Sequence, residues 1–251
     1  MIRKFNRFEL KFIIPVEKRD RVCEDLARNM TIDSHGAGGF YRVTSLYYDT
    51  PEASCFWSKV EGIKYRRKVR VRLYGDHVEG DTHPVMVEIK QRINRTVQKR
   101  RVMLPVYEAY QLAEGHEGVT FADPVDAAIA SEIRFLARSL QLRPTAVISY
   151  LRQAWIGSDY EPGLRITFDE DLAARGPEHG LGPGMPKHYF CPPEWLIMEV
   201  KADEAVPLWV GRVLARHDCH MRRISKYCVG LAQLRSLERS AERLRGEEDY
   251  G

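Results

Sequence analysis

The 251-residue sequence contains no long apolar run and only five cysteines, and both shortages restrict the class of protein. No stretch approaches the roughly 18 apolar residues of a transmembrane helix, so no membrane span is expected. The opening residues, MIRKFNRFELKF, alternate between polar and apolar types and lack the apolar core of a signal peptide. The cysteines are scattered and never spaced as CxxC, which favours reduced thiols in a cytoplasmic protein.

Motifs of the common nucleotide-binding folds are also missing. The sequence has neither a GxxxxGK[ST] loop nor a GxGxxG fingerprint, and we find no candidate nucleophilic triad. The segment RHDCHM (216–221) has ligand-capable residues but no second cluster at ligand spacing, which favours a helix end over a zinc site. The net charge is only +4, so the placement of the cations matters more than their number.

The hydrophobic pattern predicts a mostly β protein with helices inserted between strands. Strands are predicted at 6–15, 41–50, 63–74, 84–91, 95–104, 143–155, 163–170 and 195–202. Helices are predicted at 15–30, 123–140, 204–217 and 227–243, and the second of these has Asp123 as N-cap and Pro124 at its first position. Segment 174–188 is predicted to be irregular. No repeat or linker is recognised, so residues 1–251 are interpreted as one domain, with 236–251 as a helix end and frayed tail.

The segment YRRKVRVRLYG (65–75) carries an unusual row of cations. As a strand it places Val69, Val71 and Leu73 on one face. The opposite face, extended by one residue, holds Lys64, Arg66, Lys68, Arg70 and Arg72. From Arg66 to Arg72 this row spans roughly 20 Å at about 3.3 Å per residue, so it needs an extended anion to neutralise it.

Other predicted strands also have an ionic polar face. The residues concerned are Glu88, Lys90 and Arg92 in VMVEIKQR, Glu199 and Lys201 in LIMEVK, Arg165 in GLRITF, and Arg152 in VISYLRQAW. A solvated outer face would explain any single strand, since antiparallel sheets commonly face water on one side. Together the strands favour an α+β fold with a closed antiparallel β-barrel of about eight strands, a basic lumen that binds a polyanion, and surrounding helices.

Six motifs, taken in order, resemble the VTC-type polyphosphate polymerase domain, a branch of the triphosphate tunnel metalloenzymes (CYTH-like). They are RFELKF, SLYYDTP, KVRVRLYG, VEIKQR with a following lysine, IMEVK and RRISKYCVG. No single motif is decisive, because ExK and RxR often occur by chance, but their order over about residues 5 to 235 is specific.

The resemblance implies a tunnel that binds ATP or another triphosphate, and polyphosphate, with a divalent metal, Mn²⁺ or Mg²⁺. It implies catalytic roles for Arg70, Arg72, Lys90, Lys201 and Lys226. Substrate-binding roles are implied for Lys11, Lys99, Arg152, Arg165, Arg223 and Ser225, and Glu199 is implied as the metal ligand. Lys226 opens a predicted helix, where backbone N–H groups favour anions.

The function implied is a metal-dependent phosphotransferase that moves the terminal phosphoryl group of ATP onto a polyphosphate chain. A tunnel triphosphatase and a non-catalytic polyanion-binding module are the alternatives. Hydrolytic relatives carry ExExK on the first strand, whereas Arg7 replaces the first glutamate here. Because arginine can neither bind a cation nor act as a base, this change favours transfer over hydrolysis. Aromatic residues are largely missing from the cationic faces, so nucleic acid is not expected as a partner. A membrane partner protein remains an open alternative.

Several assignments stay open at this point. Either Lys99 or Arg100 points into the lumen, because the strand TVQKRRVML has no purely ionic face. Glu9 and Glu88 are either metal ligands or internal counter-ions, and the same alternative holds for Glu199.

Overall fold

The predicted strands form one antiparallel sheet in the computed structural model, which describes residues 7–36, 38–94, 96–182, 187–203 and 205–248. The ten strands of this described part are β1 (Arg7–Pro15), β2 (Met30–Ile32), β3 (Phe40–Asp49), β4 (Tyr65–Tyr74), β5 (Pro84–Ile93), β6 (Thr96–Pro105), β7 (Arg143–Gly157), β8 (Arg165–Arg175), β9 (His188–Tyr189) and β10 (Trp195–Asp203). Eight strands follow the order β1-β10-β8-β7-β3-β4-β5-β6, while β2 pairs with β7 and β9 pairs with β8.

The sheet curls until its two edge strands approach each other. Within the described residues no hydrogen-bonded ladder joins β1 to β6. Lys90 of β5 instead forms an ion pair with Glu9 of β1, with Nζ 3.1 Å from Oε2. The predicted antiparallel barrel with a basic lumen is confirmed, and side chains bridge its seam between β1 and β6.

Six helices accompany the strands in the part of the chain described: α1 (Val16–Leu26), α2 (Ser54–Val60), α3 (Val106–Ala113), α4 (Pro124–Ser139), α5 (Leu208–Arg216) and α6 (Lys226–Glu248). The predicted N-cap of α4 is confirmed, because the Asp123 carboxylate accepts a hydrogen bond from the Val125 backbone N–H at 2.6 Å. Helices α2 and α3 were not predicted, since eight residues or fewer leave little periodic signal. None of the described helices is long and apolar enough to span a membrane.

Several predicted boundaries differ from the structure, among them the ends of α1 and β8. Helix α1 ends at Leu26, and Met30 begins the short strand β2 rather than ending the helix. Strand β8 continues to Arg175, into the segment predicted to be irregular. Residues 183–186 of that segment, and residues 249–251 of the predicted frayed tail, lie outside the described residues.

The outer face of β3 to β6 packs against α3 and α4. Val69, Val71 and Leu73 are at most 2% exposed and share an apolar cluster with Ile133 and Leu136 of α4. Because neighbouring side chains of a strand point to opposite faces, the cationic row of β4 must face inward. A second apolar cluster lies between α1, α5 and the outer face of β1, β8 and β10.

Helix α6 lies on the inner face of the sheet, although it was expected outside. Its residues Tyr227 and Leu231 share an apolar cluster with Ile148 of β7 and Ile197 of β10, which point inward. The contact is close at Gly230, where an added Cβ would lie 2.4 Å from Ile148 Cδ1. The inner face is therefore apolar where the body of α6 packs and ionic around Lys226, the first residue of the helix.

Candidate active site

The first ionic group of the lumen surrounds Glu88 of β5, whose side chain is fully buried. Arg70 donates to Glu88 Oε2 from Nε at 2.8 Å and from Nη2 at 2.6 Å. Arg72 Nη1 lies 3.9 Å from the same oxygen, and Lys99 Nζ contacts Oε1. Burial alone would raise the pKa of Glu88, but these three cations outweigh it and hold the pKa well below its usual range.

Hydroxyl groups orient the two arginines of β4. Arg70 Nη1 donates to the Tyr47 hydroxyl at 2.8 Å. Arg72 donates from Nε to Ser45 Oγ at 2.9 Å and from Nη2 to the Tyr150 hydroxyl at 3.3 Å. Because Arg72 is also buried, both guanidinium groups are held in fixed orientations, as electrostatic stabilisation of a reacting group requires.

The second ionic group surrounds Glu199 of β10. Lys11 and Lys226 each donate to Glu199 Oε1 at 2.5 Å, and Lys201 Nζ lies 2.8 Å from Oε2. Burial would raise the pKa of Glu199, but the surrounding cations lower it well below its usual value. Burial lowers the pKa of Lys201 to about 8, despite the opposing charge of Glu199.

Asp169 of β8 joins this second group to Arg152, and it was not among the predicted site residues. Arg152 donates to the two Asp169 carboxylate oxygens from Nε at 2.6 Å and from Nη2 at 2.7 Å. Lys226 Nζ lies 2.5 Å from Asp169 Oδ2. Asp169 lies four residues after Arg165 on β8, so both side chains point to the inner face, while Phe168 points outward. Strand alternation alone could therefore have identified Asp169 as a lumen residue.

Glu9 forms a third group at the seam between β1 and β6. Its Oε2 lies 3.1 Å from Lys90 Nζ, and its Oε1 lies 3.3 Å from Lys11 Nζ. Burial would raise the pKa of Glu9, but these lysines lower it well below its usual range. Glu9, Glu88 and Glu199 are thus all counter-ions to lumen cations in this structure.

The start of α6 is fixed at several points beside these groups. Ser225 Oγ accepts a hydrogen bond from the Cys228 backbone N–H at 3.4 Å. The Tyr227 ring stacks on Tyr47, with centroids 4.9 Å apart, and its hydroxyl donates to Asp49. Asp49 also accepts the backbone N–H groups of Cys55 and Phe56 at the start of α2. These contacts position Lys226 at the carboxylates.

Two predicted site residues lie apart from the buried groups. Arg165 Nη2 donates to Asp33 Oδ2 at 2.6 Å and to the Tyr41 hydroxyl at 3.0 Å. Arg223 is exposed and forms no ion pair among the residues that the structure describes. The structure therefore brings Arg165 to the lumen wall but leaves Arg223 outside the cluster.

The structure also distinguishes Lys99 from Arg100 on β6. Lys99 reaches Glu88 in the lumen. Arg100 forms an ion pair with Glu132 of α4, with Nε 2.7 Å from Oε2. Arg100 therefore belongs to the outer, helix-covered face.

The cations at the start of β4 differ from those further inside. No described carboxylate pairs with Arg66 or Lys68; Arg66 Nη1 donates to a backbone carbonyl, and Lys68 Nζ lies 3.5 Å from Cys228 Sγ. Burial and the charge of Arg92 lower the pKa of Arg66. This end of the strand is therefore a site of mutual cation repulsion.

Aromatic rings do border the lumen cations, so the prediction that they are largely missing is wrong. The ring centroids of Tyr47, Tyr74 and Tyr150 lie 5.6 Å, 5.8 Å and 5.0 Å from the guanidinium carbons of Arg70, Arg72 and Arg152, respectively. Tyr74 and Tyr150 lie two residues from Arg72 and Arg152 on the same strands, whereas Tyr47 comes from β3, beside the strand of Arg70.

Oxygen donors in the lumen suit Mg²⁺ or Mn²⁺ better than zinc. Thr167 offers a second oxygen beside the Glu199 carboxylate, since it lies opposite Glu199 in the β8–β10 register. Its buried Oγ1 has no hydrogen-bond partner. Three lysines already contact Glu199, and no group of three or more His, Cys, Asp or Glu among the described residues could hold a metal. These donors fit a cation that shares its coordination with phosphate oxygens, as Mg²⁺ commonly does.

The inner-face residues all fall within residues 6–235, which match the family model of the VTC domain. The chain belongs to the VTC domain family. A comparison with curated proteins found no match.

The chain is also similar to solved structures over most of its length. A proposed adenylyl cyclase from Hippeastrum, described as having a dominant triphosphatase activity, is 11% identical, with 90% of this chain and 95% of that chain covered and a TM-score of 0.50. A proposed adenylate cyclase from Bacillus halodurans is 14% identical over 88% and 95% of the two chains, with a TM-score of 0.48. A third, from Vibrio parahaemolyticus, is 10% identical over 90% and 97%, with a TM-score of 0.44. At 11% identity the likeness to the Hippeastrum protein shows a shared fold alone.

We expect the Tyr47 phenol to make tripolyphosphate binding sensitive to pH. Burial raises the pKa of Tyr47, but the charges of Arg70, Arg72 and Lys68 outweigh burial and lower it to about 8. Above this pH the phenolate offsets the charge of Arg70, so affinity for tripolyphosphate should fall more steeply in the wild type than in Tyr47→Phe between pH values of about 7 and 9. Calorimetric titration of both proteins measures this, since the ligand's own titration is common to both. Equal slopes would contradict the prediction.

Proposed function

We propose that this VTC domain is a metal-dependent phosphotransferase that moves the terminal phosphoryl group of ATP onto a polyphosphate chain. The observation that carries the proposal is an excess of cations on one inner face. Eight cations (Lys11, Arg70, Arg72, Lys90, Lys99, Arg152, Lys201 and Lys226) share four carboxylates (Glu9, Glu88, Asp169 and Glu199). A phosphate chain supplies the missing negative charge along the length of the lumen.

The proposed roles follow from the shape of each cation. Arg70 and Arg72 present forked donors that bind two phosphate oxygens at once, so we place the reacting phosphates beside them. Lys90, Lys201 and Lys226 add compact charge to the transferred group. Lys11, Lys99, Arg152, Arg165 and Ser225 hold the rest of the chain, and Arg223 guides it from outside. Phosphoryl transfer needs this positioning and neutralisation more than it needs a covalent nucleophile.

Glu199 is the residue that we propose to hold the metal. When bound, Mn²⁺ or Mg²⁺ would offset negative charge on the phosphates. Lys11, Lys201 and Lys226, which contact Glu199, would turn to the phosphates of the bound chain.

Hydrolysis of a triphosphate is the second candidate function. It is favoured by the fold shared with the Hippeastrum protein and by Glu9, which lies within the lumen. Transfer ranks first because Arg7 occupies the position of the other glutamate in the hydrolytic pattern, and an arginine can neither bind a metal cation nor act as a base.

Products made from ATP test the proposed function directly. We expect purified protein with ATP and Mn²⁺ or Mg²⁺ to form phosphate chains that lengthen with time, resolved by electrophoresis. Free phosphate without chains would assign hydrolysis instead. Binding of tripolyphosphate without turnover would make the protein a polyanion-binding module.

Metal dependence should trace to Glu199. We expect Glu199→Gln to abolish turnover at every Mn²⁺ concentration, yet to leave tripolyphosphate affinity unchanged or higher, because three lysines lose their internal partner. Initial rates and calorimetry measure the two effects. Glu132→Gln, which removes a carboxylate from the outer face, is the matched control. Near-normal activity of Glu199→Gln across the metal titration would contradict the assignment and make Glu88 the next candidate.

The two ends of β4 should respond differently to truncation. Arg72→Ala removes a buried, oriented fork, and losing such a donor typically lowers kcat about a hundred- to thousand-fold. Arg66→Ala removes a less buried cation that guides the anion, so its effect should be mild and weaker still at high salt. The measurement is kcat and KM of both variants at two ionic strengths. Equal, salt-sensitive losses would instead indicate a general polyanion surface.

A further inference from the structure

Tyr74 lies where the lumen opens to solvent. It is the last residue of β4 and shares the inner face with Arg72, two residues earlier. Tyr74 is 39% exposed, whereas Arg72 is 5% exposed, so burial ends sharply between them. We call this position the Tyr74 rim.

A second ring and two arginines adjoin the Tyr74 rim. The Tyr41 ring centroid is 6.2 Å from that of Tyr74, with the ring planes tilted by 55°. The Arg72 guanidinium lies 5.8 Å from the Tyr74 centroid, and Arg165 donates to the Tyr41 hydroxyl at 3.0 Å. An accessible aromatic surface therefore leads directly into the cationic lumen.

We propose that the Tyr74 rim is a nucleobase subsite, on which the base of a nucleoside triphosphate stacks while its phosphates extend inward to Arg72 and Arg165. This inference rests on the proposed function and adds how the protein recognises ATP, the phosphoryl donor. Lumen cations alone would bind inorganic tripolyphosphate and ATP alike. A stacked base supplies affinity that only the nucleotide gains, and it is tolerant of base identity because every base has an aromatic face.

The first residue of β4 provides a matched control. Tyr65 is also exposed, at 49%. It lies an even number of residues from Val69 and Val71 on β4, so its side chain points to the outer face with theirs. A ring at that position cannot stack on a base whose phosphates are inside the lumen.

The test is calorimetric affinity for ATP and for tripolyphosphate, measured without divalent metal so that neither ligand turns over. We expect Tyr74→Ala to weaken ATP binding by about five- to a hundred-fold, the range of one base–aromatic stack, and to change tripolyphosphate binding less than about twofold. Tyr74→Phe, which keeps the ring, should retain ATP affinity. Tyr65→Ala should change neither ligand.

The outcomes separate this inference from the proposed function. Unchanged ATP affinity in Tyr74→Ala overturns the subsite, while tripolyphosphate binding still supports the phosphate tunnel. Equal losses for both ligands also overturn it, because Tyr74 would then act through Arg72. If the wild type binds neither ligand, both proposals are wrong.

Discussion

Eight cations on one buried face need counter-charge, because an ion removed from water without a partner costs several kcal/mol. The barrel meets this need with four carboxylates, each shared by two or three cations. The carboxylates come from β1, β5, β8 and β10, and their ion pairs mostly join neighbouring strands of the sheet, while the Glu9–Lys90 pair joins β1 to β5. The cations that pair with carboxylates in the folded barrel are therefore the same ones that would bind an anionic ligand.

This sharing has a direct effect on how an anion binds. Each lysine that turns to a phosphate leaves a carboxylate, so binding exchanges one partner for another rather than simply adding charge. Arg70 and Arg72 keep their orientation during the exchange, because Ser45, Tyr47 and Tyr150 hold them independently of Glu88. The lumen lysines contact carboxylates and can turn from these to the phosphates of a ligand.

Strand alternation was enough to predict the cationic face of β4, since Val69 and Val71 allow only one register. The resemblance to the VTC domain placed most other lumen residues, and the structure brings them together as pairs. Strand alternation also places Asp169, Tyr74 and Tyr150 on the inner face, two or four residues from a predicted lumen arginine on the same strand. The contact of Tyr47 with Arg70 and the inward position of α6 depend on which elements become neighbours, and no local pattern encodes that order.

The seam between β1 and β6 is held differently from the rest of the barrel. In a barrel closed by backbone ladders, strand number and stagger fix the diameter. Here the side chains of Glu9 and Lys90 bridge the seam, as far as the described residues show. Closure at this place therefore depends on an ion pair, so an ion that competes for Glu9 or Lys90 would weaken the joint that completes the barrel.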